Sequence, residues 1–177
     1  MINNNDIAKA FSNGETKGKG NNMFIDGDTI YSYGYHFPIC RRVTINNNIF
    51  YLFNADGYSN TTAKHKSHVR SVLLKDNIIL IKNLGTFQSN NMVDILNMIA
   101  LNNLDIENLK LKFKRSKKHK DMYKRDIDDI YIQNGLLAKM GLCLVKDNNI
   151  LKSRITDLKK IEKYSDKIRV VQAMSIQ

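Results

Sequence analysis

Cysteine is nearly missing from this chain of 177 residues, which holds only Cys40 and Cys143. Two thiols cannot form a disulfide framework or a four-cysteine zinc site, so no staple and no metal is expected to hold the fold. Long apolar runs are missing too. No stretch approaches the roughly 18–20 residues that cross a bilayer, and no lipidation motif is present. The opening residues, Met1-Ile2-Asn3-Asn4-Asn5-Asp6, lack the basic-then-apolar pattern of a secretory signal. The expectation is a cytoplasmic protein with no membrane partner and no cofactor. No internal repeat breaks the chain into copies.

What is abundant is positive charge. The formal net charge is +11 and the hydrophobic content is 42%, enough for a globular body of ordinary domain size. Asn, Lys and Ile together make up more than a third of the residues, and all three have A/T-rich codons. Nucleotide bias therefore inflates lysine, and the distribution of charge says more than its total. Residues 1–100 carry 10 Lys and Arg against 7 Asp and Glu, a net of +3. Residues 101–177 carry 18 against 10, a net of +8. Codon bias does not predict that asymmetry.

The excess peaks at residues 110–125, where nine of sixteen positions are basic: Lys110, Lys112, Lys114, Arg115, Lys117, Lys118, Lys120, Lys124 and Arg125. The pattern reads as one helical segment, partly countered by Asp121, Asp126, Asp128 and Asp129. Such a cluster suits phosphate contact, where each neutralised phosphate releases counterions. Lysine outnumbers arginine seven to two, which favours positioning on a backbone over bidentate reading of bases. The bland alternative is a solvated lysine-rich helix.

The fold class expected is α+β. An Asn- and Gly-rich lead-in, residues 1–22, carries a short helix at 5–11. Strands at 23–25, 29–33, 35–45 and 49–53 follow, joined by turns at Asp26-Gly27 and Asn46-Asn47-Asn48, and make an antiparallel meander. Pro38 marks an edge or a bend. A helix at 61–74, capped by Ser59 or Asn60, packs on the meander and precedes a short apolar strand at 78–81. The α+β domain spans 23–101 and closes with a helix at 91–101. A mainly helical basic region, 102–177, follows a weak boundary near 102–105. It holds a helix capped by Asp105, another through residue 137 that stops at Gly141, and an apolar segment at 142–145. A turn at Asp147-Asn148-Asn149, a helix at 153–164 and a terminal strand at 168–174 complete it.

Three of four histidines, His36, His65 and His68, lie in two polar stretches at 27–39 and 54–68. His65 and His68 are i,i+3 on the expected helix and share a face with Val69 and Val72, which points that face inward. As a catalytic cluster, these histidines would act as acid and base, Lys64 would stabilise developing negative charge, and Tyr33 or Thr62 would orient a substrate. A metal would need a further ligand, with Asp28 or Asp56 in reserve. The structural alternative buries His65 and His68 under the sheet on hydrogen bonds. Tyr31, Tyr33, Tyr35 and Tyr51 are candidate stacking platforms on an open sheet face.

The same stretches carry a resemblance. Phe24-Ile25-Asp26-Gly27-Asp28-Thr29, then Tyr31-Ser32-Tyr33-Gly34-Tyr35-His36-Phe37-Pro38, then Tyr58-Ser59-Asn60-Thr61-Thr62-Ala63-Lys64-His65 resemble an uncharacterised family of small phage and mobile-element proteins. It covers residues 13–70 and implies no particular activity. What it implies is a mobile-element origin, with a host-takeover or counter-defence role such as anti-CRISPR inhibition. The functional expectation is a non-catalytic protein that binds DNA, RNA or a nucleoprotein complex through residues 110–125, with a host protein as the other candidate partner. The alternative is a small metal-independent nuclease built on His36, His65 and His68.

Overall fold

A computed structural model describes residues 3–145 and 152–175. The chain divides into two compact units, Met1–Phe87 and Gln88–Gln177, and each is α+β or α-helical in its own right.

The first unit begins with helix α1, Asn4–Ser12, whose N-cap Asn3 accepts from the Asp6 amide. Residues 1–22 are thus more than a lead-in. Ile7, Ala8 and Phe11 of α1 are buried, and β1, Lys17–Lys19, pairs antiparallel with β2, Met23–Asp26. Strands β3 (Thr29–Ser32), β4 (Pro38–Ile45) and β5 (Asn48–Asn54) continue the meander. Helix α2, Asn60–Val72, then crosses over, and β6, Ile78–Ile81, returns parallel to β5. The sheet order is sequential, β1 to β6. The expected four-strand meander is therefore correct; β1 adds a fifth antiparallel strand that was not expected, and the parallel β6 makes the sheet mixed.

Local chemistry explains the turns. Asp26 pairs with Thr29, leaving a two-residue loop with Gly27 first, at φ +58°. Ile45 pairs with Asn48 across Asn46 and Asn47, both left-handed at φ +49° and +63°. Asparagine tolerates that region better than other residues with a side chain, and two such residues match the twist of a tight hairpin. Pro38 opens β4 as its first residue, where its missing N–H breaks no ladder in mid-strand.

Alternation sends Ile30, Cys40, Tyr51 and Phe53 to the face covered by α1 and α2, where they pack with Phe11, Val69 and Leu73. Arg42 is part of that packing. Its guanidinium lies 5.7 Å from the Phe11 ring centroid, donates to the Phe11 carbonyl at 3.2 Å, and pairs with Asp28 at 2.9 Å.

The second unit holds three long helices: α3, Met92–Arg115; α4, Lys120–Leu144; and α5, Lys152–Met174. Several expectations change here. Residues 91–101 and those after Asp105 belong to one continuous α3, so the boundary expected near 102–105 falls inside a helix. Gly141 does not stop α4. It lies in the helix, where an added Cβ would meet Leu158 at 3.3 Å and Met92 at 3.4 Å, so its small size serves helix packing. The strand expected at 168–174 is the last part of α5. Its β-branched residues suggest a strand, yet the helix that precedes it, packed through the buried Leu158 and Ser165, continues through it. The expected turn at Asp147-Asn148-Asn149 lies outside the described residues. No helix among the described residues is long and apolar enough to cross a membrane.

Candidate nucleic-acid interface and histidine cluster

The basic segment is not one helix. It forms the tip of the α3–α4 hairpin: Lys110, Lys112, Lys114 and Arg115 end α3, Lys117 and Lys118 lie in the connection, and Lys120, Lys124 and Arg125 begin α4. The break has a local cause. The Ser116 amide donates to the Lys112 carbonyl at 2.9 Å, and the Ser116 hydroxyl accepts from the His119 amide at 2.9 Å. Neither glycine nor proline marks the turn, which is why periodicity carried the helix through it. Basic residues in the last turn of α3 suit the negative end of its dipole, and Asp121 suits the positive start of α4.

Eight of the nine cationic residues are exposed, and Lys110 is half-buried. Lys110 donates to Glu107 at 2.8 Å, and that bond, with a second to Tyr131, raises its pKa. Lys120 lies 5.6 Å from the Phe113 ring centroid. Behind the tip, burial raises the pKa of Asp128. The hairpin is held in register by polar groups: Asn102 donates to the buried Asn134 at 2.8 Å, and Asn134 donates to Asn103 at 3.0 Å. This pairing resists helix sliding, because a slip leaves the buried Asn134 amide without partners.

The histidines lie in different surroundings. His65 is 3% exposed, with Nδ1 2.7 Å from the Ser32 hydroxyl and Nε2 3.2 Å from the Asn4 side-chain nitrogen. The Asn4 oxygen accepts from the Asn22 amide at 3.3 Å, which orients the Asn4 amide with its NH₂ toward His65. Nε2 is then the acceptor, and Nδ1 carries the proton and donates to Ser32. In this tautomer His65 has no lone pair aimed at Ser32, so the pair is not a nucleophile and its base. Burial, then the neighbouring His68, lowers the His65 pKa. His36 is exposed, its ring 6.2 Å from Tyr58, while His68 is half-buried and Lys64 exposed. Thr62 is buried and bonded to Ser59, and Asp28 is engaged with Arg42. Among the described residues no group of three or more His, Cys, Asp and Glu could hold a metal ion.

Two of the tyrosines expected on an open sheet face, Tyr31 and Tyr35, do gather on the face opposite α1 and α2: Phe24, which the sequence reading missed, stacks on Tyr31 at 5.0 Å and meets Tyr35 edge-on at 5.0 Å, with Lys17 and Lys19 beside them. The Tyr35 hydroxyl donates to Asp26 at 3.0 Å, a bond that raises the tyrosine pKa. Tyr51 points to the opposite, buried face. One feature escaped the sequence reading altogether, a cleft of about 650 Å³ at the carboxyl end of β5, lined by Phe53, Tyr58, Lys66 and Arg70 among others. A strand–helix–strand order in the sequence was its one available signal, because parallel strands leave such a crevice at their carboxyl ends.

No protein-family model, curated protein or solved structure matches this chain.

Proposed function

We propose that the chain is a non-catalytic accessory protein that binds the phosphate backbone of nucleic acid, free or within a nucleoprotein, through the α3–α4 tip. The observation that carries this reading is the gathering of eight exposed Lys and Arg residues around one helical turn-back. Cations spread over two helix ends and their connection present charge on several sides, which fits contact with successive phosphates. Predominance of lysine fits sequence-independent positioning. The resemblance to phage and mobile-element proteins supports a role in the cytoplasm of a host cell, as an inhibitor of a defence nuclease working on the same nucleic acid.

Binding to duplex DNA, single-stranded DNA and RNA across a salt series tests the reading. The expected result is log-linear weakening with salt, with a slope of about −0.9 per phosphate neutralised on duplex DNA. Failure to bind any of the three at low salt would sink it. Degradation of labelled substrate in the same tubes, unaffected by chelator, would replace it with the nuclease alternative.

A further inference from the structure

The crossover β5–α2–β6 builds a second basic place, far from residues 110–125 in sequence and wholly within the first unit. Its cleft, about 650 Å³, lies within the size range of small-molecule pockets. Lys66 and Arg70 stand one turn apart on α2, and both lie over the ring of Phe53, at 5.6 Å and 5.9 Å from its centroid. Two like charges at i,i+4 repel each other. No Asp or Glu is among the lining residues, and the carboxylate that acts on Lys66 is that of Asp56. Asp56, the nearest carboxylate, accepts from the Asn83 amide at 2.8 Å, and Lys66 donates to the Asp56 carbonyl at 2.8 Å. Burial lowers the Lys66 pKa, and Arg70 adds to that, against the opposing pull of Asp56. The cleft is thus an apolar-floored site whose positive charge is offset only in part, by Asp56 acting on Lys66.

We propose that this cleft binds a small aromatic phosphate ester of mononucleotide size. The phosphate would sit between Lys66 and Arg70, whose guanidinium matches phosphate oxygens as a fork. The planar group would lie beyond the two cations that cover Phe53, along Leu80 toward Tyr58. Tyr58 is 71% exposed at the rim, with its ring held 5.4 Å from Phe37, so an aromatic face is available to a ligand. Ser67 and Asn60 offer hydrogen bonds to a sugar-like middle. The Ser59 hydroxyl is already engaged with the Thr62 amide at 3.2 Å, and recognition rests on side chains rather than on the start of α2.

The test is a titration of the full chain with uridine or adenosine monophosphate, followed by amide and methyl NMR shifts at constant ionic strength. Parallel arms use inorganic phosphate and the free nucleoside. Saturable shifts at Phe53, Tyr58, Ala63 and Ser67 are expected, with each fragment binding at least about ten-fold more weakly than the nucleotide. Arg70→Gln, a change at an exposed residue, should weaken nucleotide binding at least about ten-fold, and Tyr58→Ser should weaken it with no effect on phosphate. Lys117→Gln with Lys118→Gln should leave the titration unchanged, which separates this site from the hairpin tip. No shifts at millimolar nucleotide would overturn the proposal. So would equal binding by Arg70→Gln, phosphate binding as tightly as the ester, or loss of binding in the tip variant.

Discussion

Gly135 of α4 lies directly against Ser165 of α5, so close that a Cβ on Gly135 would occupy the place of the serine side chain. Ser165 is buried and donates to the Ile132 carbonyl at 3.5 Å, so it has little freedom to withdraw. Gly135→Ala should therefore destabilise the second unit, by about 1–3 kcal/mol in a denaturant melt, despite the better helix propensity of alanine. Gly85→Ala, where an added Cβ meets nothing within 4 Å, is the control and should change stability little.

His65 makes stability depend on pH. Its folded pKa is depressed by burial, so the unfolded chain binds the proton more readily. The stabilisation is complete above the unfolded value, about 6.5, and is lost as pH falls toward the lower folded value. Protonation would also turn Nε2–H toward the Asn4 NH₂, setting donor against donor. Denaturation at pH 8 and pH 5 should show wild type losing stability on acidification, with His65→Gln losing less of it. At pH 8 that variant should itself be weaker by about 1–3 kcal/mol, because Ser32 is left buried with a poorer partner.

Arg42 is worth more than its ion pair. The side chain is only 10% exposed, while its partner Asp28 is 63% exposed. Asp28→Asn should cost at most about 1 kcal/mol, as exposed charges do. Arg42→Met should cost more, since it also releases the Phe11 carbonyl and the contact with the Phe11 ring. Arg42→Lys should not rescue it, because an ammonium cannot reach carboxylate, carbonyl and ring in one plane.

Lys110 and Lys118 should differ as nucleic-acid contacts although both belong to the same run. Lys118 is exposed in the connection, whereas Lys110 is half-buried and bonded to Glu107. Lys118→Gln should reduce the log-log salt slope by about 1. Lys110→Gln should alter the slope less, because engaging a phosphate would first break its bond to Glu107.

Cys40 and Cys143 should react with a thiol reagent at different rates. Cys40 is fully buried, and burial pushes its pKa far above the usual range. Burial also raises the pKa of the half-buried Cys143, by less. Cys143 should label slowly in native protein, and Cys40 only after unfolding.

The elements easiest to read from the residues alone are those whose signals are local. The turns at Gly27 and at Asn46 and Asn47 follow from backbone preference at those positions. The strands between residues 23 and 54 follow from their apolar and β-branched runs, and α2 from its Ser59 cap and apolar spacing, whereas the short polar β1 gave no such signal. Errors came where a local signal was silent or overruled. The α3–α4 turn rests on two hydrogen bonds of Ser116, which no glycine or proline announces. The last part of α5 reads as a strand because Val170 and Val171 favour one, while continuity with a packed helix decides otherwise.

The sequence by itself determined the positive charge and its place in the chain, the α+β class, and the inward-facing side of α2 that carries His65. Charge and periodicity are properties of residues and their spacing, so neither needs a fold to be read. Tertiary structure alone decided that the basic run bends into a hairpin tip. It also decided that His65 spends its two nitrogens on Ser32 and Asn4, and that Lys66 and Arg70 stand over Phe53. Each of these depends on residues far apart in the chain, or on which of two competing local preferences packing rewards. Such choices are made by burial and hydrogen-bond satisfaction across elements, and spacing along one strand or helix does not contain them.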